Sequence, residues 1–235
     1  MWKWLIILSL YSGVVMSDTY RKKLADRLAF LEGYARKNKS IPVYNENTSE
    51  YGGYYDDKGF LTTGIGSLVS KEKSPEKRQK DIDKWNAVWS KKLGKPINFN
   101  TISKEDAEKI FAEHSKKDEK ELKEKFLPDF DSYPDYLKIE LMQGKYRGEF
   151  KDGYTFDDLI REGKFKQASK RFLDNREYRE SLRTGSGVHK RMEDIAKALN
   201  RYGNEREELN RLRRKQALQD HMPQLVSDLG ETIER

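Results

Sequence analysis

Two carboxylates in contrasting surroundings are the first feature of this chain with chemical content. Glu32 follows Phe30-Leu31 near the end of an amphipathic stretch, where apolar neighbours favour a protonated carboxyl. Asp56 opens the turn Asp56-Asp57-Lys58-Gly59 directly after Tyr54-Tyr55, a polar and hydrated position that suits an ionised carboxylate. Cleavage of a glycosidic bond requires such a pair: one group protonates the leaving oxygen, and the other activates water or attacks the sugar. The chain holds 40 Asp and Glu, most of them solvated, so the pair gains weight from its setting and not from composition. Taken singly, Glu32 reads equally well as a helix-end acid in a surface ion pair worth ~0–1 kcal/mol. Thr62 on its own reads as a strand residue, and Gly64 and Gly66 as makers of a tight bend.

The elements that must position these groups follow from periodicity. Leu24, Leu28, Leu31 and Ala35 recur at spacings of three and four, which predicts an amphipathic helix over 19–36, ending before Ser40-Ile41-Pro42. Residues 43–53 are polar and turn-rich. Aromatic and β-branched residues on both sides of the Asp/Gly turn predict a hairpin, Tyr54-Tyr55 against Phe60-Leu61-Thr62-Thr63. The backbone then bends at Gly64-Ile65-Gly66. Residues 70–95 are Lys-rich, with Trp85 and Trp89 four apart on a helix and reading as core contacts. Ser103-Lys104-Glu105-Asp106 marks a helix start, a Ser cap followed by acids that suit the positive end of the dipole. Further helices are expected over 136–200, with breaks near Gly144, Gly153, Gly163 and Gly185-Ser186-Gly187. The tail from 200 carries Leu209, Leu212, Leu218, Met222 and Leu225 at helix-like spacings. One hairpin set in a largely helical chain gives an α+β class.

The order Leu31-Glu32-Gly33, then Tyr54-Tyr55-Asp56-Asp57-Lys58-Gly59-Phe60-Leu61-Thr62-Thr63-Gly64-Ile65-Gly66, resembles the phage-type lysozymes, the muramidases of tailed bacteriophages. The resemblance implies that Glu32 is the general acid, Asp56 the second carboxylate, and Thr62 a residue that holds the attacking water. It implies substrate contacts at Tyr54 and Gly64, inversion at the anomeric carbon, and a lysozyme-like α+β fold with a small hairpin lobe, a larger helical lobe and a cleft between. Looser likeness continues through Tyr136–Gly148, Phe165–Leu173 and Gly187–Met192, so that residues 22–200 are covered, the hairpin stretch being the specific part.

Three departures from the family pattern stand out. The link between Glu32 and Asp56 is long, and residues 38–52 read as an insertion that lengthens the rim or brings in Glu46, Glu50 or Asp57 as a different partner carboxylate. Ser67 stands where many relatives have His. The stretch 70–135 has no clear counterpart.

Composition narrows the remaining functions. The chain has 235 residues, 37% of them charged and 11% aromatic, with a net charge of +7. That charge attracts polyanions without choosing among nucleic acid, membrane and wall polymer. Residues 200–235 hold seven basic and seven acidic residues, so the excess lies in 1–199 and reads as spread along that module. The run Arg211-Leu212-Arg213-Arg214-Lys215 reads as a solvated helix face, and no specific nucleic-acid binding is expected. Cys is absent, and His114, His189 and His221 are too scattered for a zinc site. Neither a phosphate-binding Gly-rich loop nor a Gly-x-Ser-x-Gly elbow occurs. Neither cofactor nor metal is expected. Residues 1–17 fit a secretory signal peptide, or else an apolar N-terminal segment packed on the core. No stable transmembrane anchor is expected.

The sequence thus divides into 1–17, a lysozyme-like module at 18–200 and a helical tail at 201–235. The expected activity is hydrolysis of the β-1,4 bond between N-acetylmuramic acid and N-acetylglucosamine in bacterial peptidoglycan. Action in the host periplasm or cell wall follows, reached by export or as a virion component, with the C-terminal helix as a contact for other virion proteins. A lytic transglycosylase acting through Glu32 alone, and a non-catalytic virion or wall-binding protein, remain open alternatives.

Overall fold

The computed structural model describes residues 19–31, 44–56, 59–151, 153 and 155–233, with side chains through 220. It is mixed α+β and divides into two compact units, Met1–Phe150 and Lys151–Arg235.

In the first unit, α1 (residues 19–31) buries Leu24, Leu28 and Leu31, the stripe that its spacing predicts. Basic residues flanking this stripe reach across to helices far along the chain. Arg21 meets Glu119 at 3.2 Å, Lys23 meets Asp135 at 3.2 Å and Arg27 meets Glu140 at 3.0 Å. Burial fixes which face of α1 turns inward, and these pairs fix its register along its neighbours.

Two small antiparallel sheets follow, where the sequence predicted one hairpin. The first has the order β1-β2-β6, from Tyr44–Asn45, Glu50–Tyr51 and Ile102–Ser103. It gives the polar, turn-rich stretch a structure of its own, with Tyr44 opposite Tyr51, and Tyr51 opposite Ile102. The second sheet is β3-β4-β5, from Gly53–Tyr55, Leu61–Thr63 and Ser67–Ser70. It contains the expected hairpin, with Tyr54 opposite Thr62 and Tyr55 opposite Leu61.

Helix α2 (Pro75–Leu93) starts on Pro, which suits the first helical position, and ends at a left-handed Gly94. It buries Ile82, Trp85 and Trp89. Helix α3 (Lys104–Glu121) begins where the sequence places it, the Ser103 hydroxyl accepting the Asp106 N–H at 3.1 Å. It passes into a π-helical turn, Leu122–Phe126.

Helix α4 (Asp135–Arg147) corrects one expectation, because it runs unbroken through Gly144. The stop lies at Gly148, whose φ of 79° only glycine adopts without strain. There the Glu149 N–H reaches the Gly144 carbonyl and the Gly148 N–H the Lys145 carbonyl, both at 2.9 Å. This is the two-bond pattern that closes a helix C-terminus. Gly144 therefore serves the termination through its carbonyl while it remains a buried residue of the helix.

The second unit is helical: α5 (Thr155–Arg161), α6 (Phe165–Leu173), α7 (Arg176–Thr184) and α8 (Val188–Ile233). Gly163 and Gly185, both at positive φ, separate helices as expected. Phe165 meets Tyr202 edge-on at 4.7 Å and the Ser169 hydroxyl bonds the Ala196 carbonyl at 2.7 Å, holding α6 on α8. Helix α8 is buried around Met192, Ile195 and Leu199 and exposed at Leu209, Leu212 and Leu218. It is continuous through residue 200, where the sequence placed a boundary, and the division of the chain falls at 150/151.

Candidate functional site

The β3–β4 hairpin brings together the described members of the expected site. The Asp56 N–H bonds the Phe60 carbonyl at 2.9 Å, and the Gly59 N–H bonds the Asp56 carbonyl at 2.9 Å. The Phe60 N–H donates to Asp56 Oδ1 at 2.8 Å. A short acidic side chain that accepts a nearby backbone N–H is the usual means by which Asp locks a turn. Here it also fixes the rotamer of the carboxylate. Thr62, 5% exposed, donates its hydroxyl to the Phe60 carbonyl at a long 3.4 Å. Asp56 and Thr62 thus both bind the backbone of Phe60, one its N–H and the other its C=O.

Tyr54 on β3 and Gly64 in the turn between β4 and β5 are both buried. Tyr54, 2% exposed, faces Thr62 across the ladder. Gly64, at φ 56°, lies against α3, where an added Cβ would come within 3.3 Å of Ala107 Cβ. Close helix packing is reason enough for glycine there. The exposed aromatic beside Asp56 is instead Tyr55, at 45%. Glu32 and Asp57 lie outside the described residues, as do residues 1–17. Of the alternative carboxylates, Glu46 lies in the β1–β2 turn and Glu50 in β2, both in the first sheet.

Three contacts that the sequence did not reveal hold this hairpin. The first is Arg78 on α2. It donates to the Tyr55 hydroxyl at 2.6 Å and to the carbonyls of Glu72 and Lys73 at 3.1 and 3.0 Å. Its guanidinium also lies 5.0 Å from the Tyr55 ring centre. The planar fork ties β3 to the start of α2 with three hydrogen bonds and a cation–π contact. The second is Tyr146 on α4, whose hydroxyl donates to the carbonyl of Gly66 and, at 3.4 Å, to that of Ile65. The third is Thr63, whose hydroxyl donates to the Phe99 carbonyl at 2.5 Å.

Position 67 has a related surprise. Ser67, which departs from the His of the resembled pattern, meets an imidazole from α3: Ser67 Oγ lies 3.4 Å from His114 Nε2. The ring of His114 packs 5.4 Å from that of Trp89. Burial, with Lys92 and Lys117 nearby, holds its pKa below the ordinary 6.5. No sequence signal connects positions 47 residues apart.

Among the described residues no cluster of three or more His, Asp or Glu is arranged to hold a metal ion, and no helix is long and apolar enough to cross a membrane. The second unit contains a cavity of about 300 Å³ lined by Thr155, Phe156, Arg171, Phe172 and Asn175. Its polar lining is engaged internally, since Arg171 bonds Thr155 and Asp174, and Asn175 accepts the Tyr178 N–H. No protein-family model matches the chain, and no curated protein does.

Proposed function

We propose that the chain is a lysozyme-like peptidoglycan hydrolase of the phage muramidase type, cleaving the β-1,4 bond between N-acetylmuramic acid and N-acetylglucosamine. The observation that carries this reading is the shared anchoring of Asp56 and Thr62 on Phe60. Both side chains are tied to the backbone of one residue of the hairpin. Such pre-set geometry is what an attacking water requires, because positioning supplies much of the barrier reduction.

In this reading Glu32 protonates the leaving oxygen, while Asp56 and Thr62 order the water at the anomeric carbon. An inverting reaction needs the two carboxyls roughly 6.5–9.5 Å apart, so that water fits between them. Helix α1, whose last described residue Leu31 is buried, is tied to α3 and α4 by ion pairs, and Glu32 itself lies outside the described residues. The acid and the ordered water supply the chemistry without a cofactor. The reading places the protein at the bacterial wall, delivered by export or within a virion.

The test is clearance of purified peptidoglycan by the native chain and by Glu32→Gln. A general acid contributes on the order of 10²–10⁴ in rate, so the variant should fall at least about a hundredfold while keeping its fold. Full activity in the variant would remove Glu32 from the mechanism. A native chain that binds peptidoglycan without cutting it would favour the non-catalytic alternative.

A further inference from the structure

The positive charge of the chain is concentrated, not spread. Residues 71–95 hold nine Lys or Arg against four Asp or Glu, a net +5 out of the total +7. Helix α2 arranges part of this excess in a line. At 3.6 residues per turn, Lys77, Lys80, Lys84 and Lys91 fall within about 60° of one another, on the side away from buried Ile82, Trp85 and Trp89. With a rise of 1.5 Å per residue they span about 21 Å. All four are exposed.

The acids of α2 form no ion pair with this line. Each is occupied by an uncharged neighbour: Asp81 by the Ser70 hydroxyl at 2.6 Å, Glu76 by Ser74 at 2.6 Å, and Asp83 by Gln79 at 2.8 Å. None of the four lysines is ion-paired among the described residues. Helix α3 is the internal contrast. Its Lys104, Lys109, Lys116 and Lys120 are each paired with a Glu three or four residues away. Two lysine-rich surface helices in the same unit therefore differ, one being self-compensated and the other left open to an external anion.

We propose that this face of α2 is a docking track for a linear phosphodiester polymer of the bacterial wall, a polyol phosphate with one negative charge per repeat. The choice of wall polymer rests on the hydrolase reading above. The chemistry on the helix supports it independently. Lysine meets phosphate as a compact point charge without demanding planar geometry. The track carries neither aromatic ring nor guanidinium on which nucleobases would stack. Ile82, Trp85 and Trp89 of α2 are turned into the core and Val88 is exposed at 43%, which leaves a single aliphatic side chain on this face, too little to insert into a bilayer. The track starts beside the hairpin, since Arg78, next in sequence to Lys77, holds Tyr55. A polymer bound there would keep the hairpin close to the wall between cuts.

The test is binding of the full chain to purified polyglycerol phosphate as salt is varied, with no cleavage readout. Neutralising four phosphates releases about four counterions, giving a log–log slope of about −2.8 to −3.6 and a loss of about 50- to 150-fold between about 50 and about 200 mM salt. The variant K77Q/K80Q/K84Q/K91Q should lose most of that slope and bind at least about tenfold more weakly at the lower salt. The variant K104Q/K109Q/K116Q/K120Q, equal in net charge, should bind as the native chain does. Replacing the four track lysines by Arg keeps the charge and should keep binding, which separates the track from any defect in folding. Equal weakening in the two Gln variants would overturn the proposal. So would tighter binding of duplex DNA, or of phosphatidylglycerol vesicles, through the same four lysines. Because the polymer is not the substrate, an inactive chain that binds it would sink the hydrolase reading alone, and an active chain that ignores it would sink only the track.

Discussion

Gly66→Ala examines how firmly the bend behind the hairpin is held. Gly66 sits at φ 70°, and a Cβ built there would run into the Tyr146 hydroxyl and come within 2.7 Å of Tyr146 Cζ. Gly59 provides the control, since its φ is 78° and a Cβ would meet nothing within 4 Å. Both alanines incur the strain of the left-handed region, about 1–2 kcal/mol. At Gly66 the tyrosine must also move, giving up its bonds to Gly66 and Ile65 at about 1–3 kcal/mol more. The sum is about 2–5 kcal/mol, against about 1–2 for Gly59→Ala. At roughly 2–4 °C per kcal/mol for a protein of this size, Gly66→Ala should lower the melting temperature by about 4–20 °C. Tryptophan fluorescence is a suitable probe because Trp85 and Trp89, both buried on α2, lie in the first unit. In a Tyr146→Phe background the hydroxyl clash is gone, and Gly66→Ala should cost at least about 0.5 kcal/mol less than in the native chain. Equal melting of the two glycine variants, or strict additivity with Tyr146→Phe, would refute the claim that Tyr146 clamps this bend.

Three further outcomes are expected. Arg78→Ala should speed hydrogen exchange at the Asp56 and Phe60 amides by about tenfold, as expected for loss of roughly 1–1.5 kcal/mol of hydrogen bonding, with the amides of α4 unchanged. Arg27→Met removes the ion pair from Glu140 at a partly buried site and should cost about 1–3 kcal/mol in urea denaturation. His114 titrates below 6.5 in the folded chain, so between that lowered value and 6.5 the unfolded chain binds more protons. Stability should therefore fall as pH drops from 7 towards 5, and His114→Gln should flatten that dependence.

What the sequence reveals here is local. The hairpin is legible because its turn residues and its strand residues agree, and Tyr54 pairs with Thr62 across it. The start of α3 is legible because Ser103 caps it through a contact three residues long. Strands β1, β2 and β6 are not, since two residues are too few to show alternation. Gly144 and Gly148 look alike in sequence; only the φ at Gly148 separates a helix end from a helix interior. The supports of the hairpin, Arg78 on Tyr55 and Tyr146 on Gly66, join positions 23 and 80 residues apart and leave no periodic trace. The same distance problem hid the meeting of His114 with Ser67. The open lysine line of α2 became visible only once its acids were seen bound to Ser70, Ser74 and Gln79.

The central claim is that Asp56 and Thr62 direct a water at the sugar opposite Glu32. Digesting purified peptidoglycan in oxygen-18 water and weighing the soluble fragments by mass spectrometry tests it most directly. Each cut by the native chain should leave a reducing-end muramic acid that carries one heavy oxygen, and Asp56→Asn should release far fewer such ends. Fragments ending in anhydro-muramic acid without label, formed equally well by the Asp56→Asn variant, would contradict it.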